Sequence, residues 1–90
     1  MLSSLLRGVG SLLKGPRGRR TLRRGMSGTD VARCQNLLNA NLTRSPPPLW
    51  VDGIFGRKTD RRVHEFQRKK RLTVDGLVGP QTGAALEAGR

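Results

Sequence analysis

Two carboxylates in matching surroundings, Asp52 and Asp75, are the first residues of this 90-residue chain whose type and spacing could do chemistry. Glycosidases use a pair of acids at a fixed separation, one to protonate the leaving group and one to attack or to activate water. Here both acids precede glycine in the same tripeptide, Val51-Asp52-Gly53 and Val74-Asp75-Gly76. A carboxylate in that position accepts nearby backbone N–H bonds and shapes a turn. The identical contexts favour the turn over the catalytic reading. Metal chemistry has less to work with, because Cys34 is the only cysteine and His64 the only histidine. An internal disulfide and any multi-cysteine metal site are excluded, and zinc chemistry is not expected. Cys34 falls on an apolar face and reads as a small buried hydrophobe, and His64, among arginines and a glutamate, as a solvated side chain. No catalytic residue, metal or cofactor is expected, so the inventory describes a binding protein rather than an enzyme.

The residues left for binding are charged groups and one tryptophan. Lys and Arg number 18 against 6 Asp and Glu, a net charge of +12. Residues 1–24 hold seven of the basic residues and no acid, which favours a polyanionic or acidic partner for that stretch. Its Arg17, Arg19 and Arg20 have no aromatic residue interleaved for base stacking, which argues against nucleic acid. A second basic cluster, Arg57, Lys58, Arg61 and Arg62, lies shortly after Trp50. Trp50 could stack on a ligand or seal the core beneath a proline-rich loop; tryptophan does both.

Periodicity supplies the elements that must position these groups. Leu2, Leu5, Leu6, Val9, Leu12 and Leu13 recur at three- and four-residue spacings, which predicts an amphipathic helix. Gly8 and Gly10 weaken it, so the stripe needs a partner surface to become ordered. Gly15-Pro16 then breaks the pattern ahead of a basic linker. Charges at Arg7 and Lys14 interrupt any secretory signal, and no apolar run is long enough to span a membrane. From Met26 the pattern changes. A first helix is expected after Ser27-Gly28-Thr29-Asp30, with Val31, Cys34, Leu37 and Leu38 inward. A loop from Asn41 to Leu49 carries Ser45-Pro46-Pro47-Pro48, which should be extended. A second helix is expected from Arg57 to Lys70 with Val63 and Phe66 inward, and a third from Pro80 to Ala88. With Trp50, Phe55 and Phe66 as the only aromatics, the chain can fill one compact core and little more. The expected division is an arm at 1–24 and a folded domain at 25–90.

The strongest pattern is an internal repeat. Val51-Asp52-Gly53-Ile54-Phe55-Gly56-Arg57-Lys58-Thr59 recurs as Val74-Asp75-Gly76-Leu77-Val78-Gly79-Pro80-Gln81-Thr82. Each copy reads as an Asp-Gly turn, two apolar residues expected to plug the core, and a helix with threonine in its first turn. A second echo pairs Val31, Cys34 and Gln35 with Val63, Phe66 and Gln67.

From Leu22 to Leu86 these motifs resemble the peptidoglycan-binding domain family that accompanies bacterial and phage cell-wall hydrolases. The resemblance implies an all-α fold, a small bundle of three helices with two repeated V-D-G-x-x-G-x-x-T units, that holds wall polymer without catalysis. A similar fold occurs in the pro-segment of matrix metalloproteinases, so the fold does not by itself fix the ligand. This chain departs from the family in placing Cys34 where leucine is usual, in Arg61, Arg62 and Glu65 where small residues are usual, and in its longer proline loop. Under the resemblance, Trp50, Arg57, Lys58, Arg61 and Arg62 become the wall-binding candidates, since guanidinium groups grip peptide-stem carboxylates bidentately. A merely solvated charged face is the competing reading. The expected setting is a virion or phage-like particle, with residues 1–24 docking other chains of a tail or baseplate. Two alternatives stand beside it: a structural tail protein that uses the fold only as a packing block, and nucleic-acid contact through the basic arm.

Overall fold

The computed structural model describes residues 20–44 and 47–89. The apolar stripe Leu2 to Leu13, Arg17 and Arg19, together with the first half of the Ser45–Pro48 run, lie outside them. Three helices form the body: α1, Thr29–Asn41; α2, Arg57–Lys69; α3, Pro80–Ala88. Among the described residues the only strand-like pairings are two isolated antiparallel bridges, Leu22 with Val78 and Ser27 with Ile54. No helix among them is long and apolar enough to cross a membrane.

Local chemistry sets the helix limits. Helix α1 opens with the Asp30 Oδ1 accepting the Val31 N–H at 2.9 Å, a negative charge where the helix dipole favours one. Helix α2 has Asp60 in its first turn and Arg68 and Lys69 in its last, the arrangement the dipole prefers at both ends. It stops one residue short of the expected Lys70 because Arg71 turns left-handed, with φ 59°. The Leu72 N–H then bonds the Gln67 carbonyl at 2.8 Å and the Arg71 N–H the Arg68 carbonyl at 3.1 Å, the double closure of a Schellman end. Helix α3 starts on Pro80, where a missing N–H costs nothing, and ends at Ala88, as expected.

Helix α1 packs against both α2 and α3. Val31, Leu38, Phe55, Val63, Phe66 and Leu86 are buried between them. Cys34 joins this core, and burial, helped by the Asp30 charge, pushes its thiol up to about 12; it is a small apolar filler.

Two expectations require correction. Only the second residue of each apolar pair plugs the core. Phe55 and Val78 are buried, whereas Ile54 is 59% exposed and Leu77 38%. Both segments are extended, and an extended chain points successive side chains to opposite faces. The packed body also begins before residue 25. Leu22 is buried and exchanges both backbone hydrogen bonds with Val78, at 3.1 and 2.8 Å. Arg20 grips Asp30 through Nε at 2.9 Å and Nη2 at 3.1 Å. A basic run with one leucine reads as linker, yet that leucine covers the second repeat.

A fragment of residues 20–90 should therefore melt cooperatively, and a 25–90 fragment should be weaker by roughly 2 kcal/mol, the contribution of one buried leucine side chain. The exposed Arg20–Asp30 pair adds little. Circular dichroism melts of the two fragments check this; equal midpoints would mean that the Leu22–Val78 bridge does not hold in solution.

Candidate functional site

The centre of each repeat is a buried glutamine that periodicity marks only as part of a helix face. Gln35 on α1 is 1% exposed and Gln67 on α2 is fully buried. The Gln35 Nε2 donates to Asp52 Oδ1, the Ile54 carbonyl and Thr59 Oγ1, each at 3.0 Å. Its Oε1 accepts the Gly53 N–H at 2.9 Å. Gln67 repeats the arrangement with Asp75 Oδ1, the Leu77 carbonyl and Thr82 Oγ1 at 3.0 to 3.1 Å, and accepts the Asp75 and Gly76 N–H groups at 3.1 and 3.0 Å. Two amide hydrogens serve three acceptors, so one bond is shared in each copy.

This arrangement assigns Asp52 and Asp75 to structure. Each closes its own turn by accepting an N–H two residues on, from Ile54 at 3.0 Å and Leu77 at 2.9 Å. Those backbone bonds, joined by the glutamine amides, hold both carboxyls below the usual aspartate range. Gly53 and Gly76 both sit at φ 76°, and a Cβ at Gly76 would lie 2.7 Å from His64 Cε1. His64 is thus packed under the second turn rather than simply solvated, and its Nδ1 lies 2.8 Å from the Asp60 carbonyl, which makes Nδ1 the protonated ring nitrogen.

The turns display what the hubs do not hold. Trp50 is 86% exposed, so it does not seal the core; Leu49 does, clasped by Asn39 through bonds of 2.8 and 3.0 Å. Arg57, Lys58 and Arg61 are exposed on α2. Arg61 follows Arg57 by four residues and Lys58 by three, so the three share a helix face. Arg62 differs from them. It is half-buried, donates to the Pro47 carbonyl at 2.9 Å and pairs with Glu65 at 3.3 Å, which anchors the proline loop to α2.

A second feature was not legible in the sequence. A groove of about 420 Å³ runs between residues 20–22, α1 and α3. Leu22, Cys34, Leu37, Val78 and Leu86 line its floor, with Gly79, Gly83 and Ala84 along one wall. Its edges carry two ion pairs, Arg20–Asp30 at 2.9 Å and Arg33–Glu87 at 2.6 Å. Three separate segments build it, and only the small residues near the start of α3 hint at it in the sequence.

A sequence profile described as "Putative peptidoglycan binding domain" matches residues 27–86. The chain is 39% identical over 67 residues to a "Probable N-acetylmuramoyl-L-alanine amidase" of Bacillus licheniformis, covering 74% of this chain and 19% of that protein. The crystal structure of the SleB N-terminal domain superimposes with a TM-score of 0.70 at 38% identity, covering 79% of this chain and 94% of that one. That of the Burkholderia AP3 phage endolysin gives 0.69 at 39% identity, covering 79% and 26%. The chain spans about a fifth of the length of the curated relatives it matches.

Gln67→Met roughly keeps the side-chain volume and removes the hub, leaving the buried Gly76 N–H and the part-buried Asp75 N–H without their acceptor. It should destabilise the fold by about 3 kcal/mol, and Gln35→Met comparably, since each stranded buried group costs roughly 1–3 kcal/mol. Denaturant midpoints measure this; a loss under about 1 kcal/mol would mean the turns hold themselves.

The acid side of the pH profile follows from the depressed carboxyls. A folded pKa below the unfolded value of about 3.9 gives stability that is present above that pH and lost as pH falls through the folded pKa. The melting midpoint should drop steadily from pH 5 to pH 2. An Asp52→Asn/Asp75→Asn variant should show a shallower drop; an unchanged slope would assign the acid sensitivity to other carboxylates.

Proposed function

The chain belongs to the peptidoglycan-binding domain family, and from that premise we propose that it is a non-catalytic wall-binding module carried by a phage or phage-like tail or baseplate. The observation that carries the binding reading is the surface around the first repeat. Asp52 and Thr59 meet at the same Gln35 amide, so Trp50, two residues before one anchor, and Arg57 and Lys58, beside the other, are held on one rigid frame. An exposed indole offers a flat face for stacking. Three exposed cations offer charge-assisted bonds to the carboxylates of wall peptides. Asp52, the acid nearest Trp50 in the sequence, is committed to its turn and to the Gln35 amide. The setting is supported by the phage endolysin among the structural relatives and by the basic, apolar-striped stretch ahead of the body. That stretch is suited to docking a protein partner through residues 1–19, because Arg20 and Leu22 belong to the folded body.

Sedimentation with purified bacterial sacculi tests both halves. The full chain should co-sediment, and a Trp50→Ala/Arg57→Ala/Lys58→Ala variant should bind about tenfold more weakly, a loss of about 1.4 kcal/mol. A 20–90 fragment should keep sacculus binding and fail to enter particles. Wild-type protein left in the supernatant would overturn wall binding, and normal incorporation of the 20–90 fragment would move the docking surface to the body.

A further inference from the structure

The groove between residues 20–22, α1 and α3 plays no part in that reading, and its chemistry differs from the Trp50 surface. We propose that it is a subsite for the peptide stems of peptidoglycan, taking small apolar side chains on its floor and the stem's carboxylate and amino groups at its two edges. This rests on the wall-binding reading and adds which moiety of the wall this part of the molecule receives.

The lining argues for a peptide over a sugar. No aromatic side chain borders the groove, so a pyranose ring would find no flat face to stack on. The floor is aliphatic, with the Cys34 thiol kept protonated and uncharged by burial. Apolar lining with a few placed polar groups is the usual make-up of small-ligand sites, and about 420 Å³ falls within their usual range. Gly79, Gly83 and Ala84 keep one wall low, which leaves room for methyl side chains and a peptide backbone but gives no depth for a bulky residue.

The edges supply the recognition. Each carries one cation and one anion, Arg20 with Asp30 and Arg33 with Glu87, and all four side chains keep substantial solvent exposure. Asp30 holds Arg20 and Glu87 holds Arg33 through Nε and Nη2, and the Ser27 carbonyl also takes the Arg20 Nη2. The Nη1 donors lie outside these bonds and can meet an incoming carboxylate, while the exposed oxygens of Asp30 and Glu87 can accept from an ammonium group. A peptide that carries free carboxylates and an amine among alanine-sized residues fits such edges. An anionic sugar polymer would use only the arginines.

Gly83 provides the test. A Cβ there would meet nothing within 4 Å, and leucine is the better helix former, so Gly83→Leu fills the groove while keeping the fold intact. The probes are stem peptides released from sacculi by an amidase and the peptide-free glycan strands left behind, each titrated into isotope-labelled full-length chain and followed by amide NMR shifts. Stem peptide should shift Cys34, Gly79, Gly83 and Ala84, and glycan should not. Gly83→Leu and Arg33→Gln should each weaken stem-peptide binding about tenfold, with the melting midpoint of Gly83→Leu equal to or above wild type. Glycan shifting these residues, or Gly83→Leu binding stem peptide as wild type does, would overturn the proposal. So would groove shifts produced simply by deleting residues 1–19, because the chain's own arm would then be the occupant. Failure of the full chain to bind sacculi would instead strike the wall-binding reading itself.

Discussion

A buried primary amide has to find a partner for every polar atom or the fold loses the desolvation energy of each one left over. Gln35 and Gln67 meet that demand in the same way, and the meeting fixes nearly everything else. Each glutamine ties the middle of one helix to the Asp-Gly turn that follows and to the threonine in the first turn of the next helix. The V-x-x-apolar-Q and V-D-G-x-x-G-x-x-T motifs are therefore one unit, not two. Helix, turn and next helix are locked in order, α1 to α2 through Gln35 and α2 to α3 through Gln67.

The same constraint explains how the chain tolerates an unequal repeat. Gln35 and Asp52 are 17 residues apart, Gln67 and Asp75 only 8. The nine extra residues are the proline-bearing loop, which leaves and returns without disturbing the hub because Asn39 clasps Leu49 and Arg62 holds the Pro47 carbonyl. Loop length costs little once the ends are pinned. What the loop returns is Trp50, placed just outside the last clasp and ahead of the locked turn. The hub thus leaves outward, and open to a ligand, the indole, Ile54, Leu77 and the α2 cations.

How much of this could be read beforehand depends on whether the signal is local. The limits of α3, the two turns and the turn-forming role of Asp52 and Asp75 depend on neighbours within a few residues, and those were legible. The glutamine hub was visible only as a recurring letter, because its partners lie at different sequence distances in the two copies. Leu22 was lost in a basic run since its partner, Val78, is more than fifty residues away. Ile54 and Leu77 were placed in the core because two adjacent apolar residues look equivalent until an extended backbone sends them to opposite sides. Arg62 looked like its neighbours Arg57, Lys58 and Arg61, and only the returning loop distinguishes it. The groove, built from three segments, leaves no contiguous trace at all.

Charge completes the link from packing to binding. The chain has six acidic residues, and every one is engaged within the body: Asp30 by Arg20, Glu87 by Arg33, Glu65 by Arg62, Asp60 beside His64, and Asp52 and Asp75 by the hubs and their turns. Each acid has a partner within the fold, while Arg57, Lys58 and Arg61 stay exposed on α2. An approaching anionic polymer therefore meets three exposed cations on α2, which outnumber the neighbouring Asp52 and Asp60 carboxylates, within the roughly 8 Å over which such fields persist at physiological salt. The two aspartates that might have suggested an enzyme are the ones that close the turns and meet the buried glutamines.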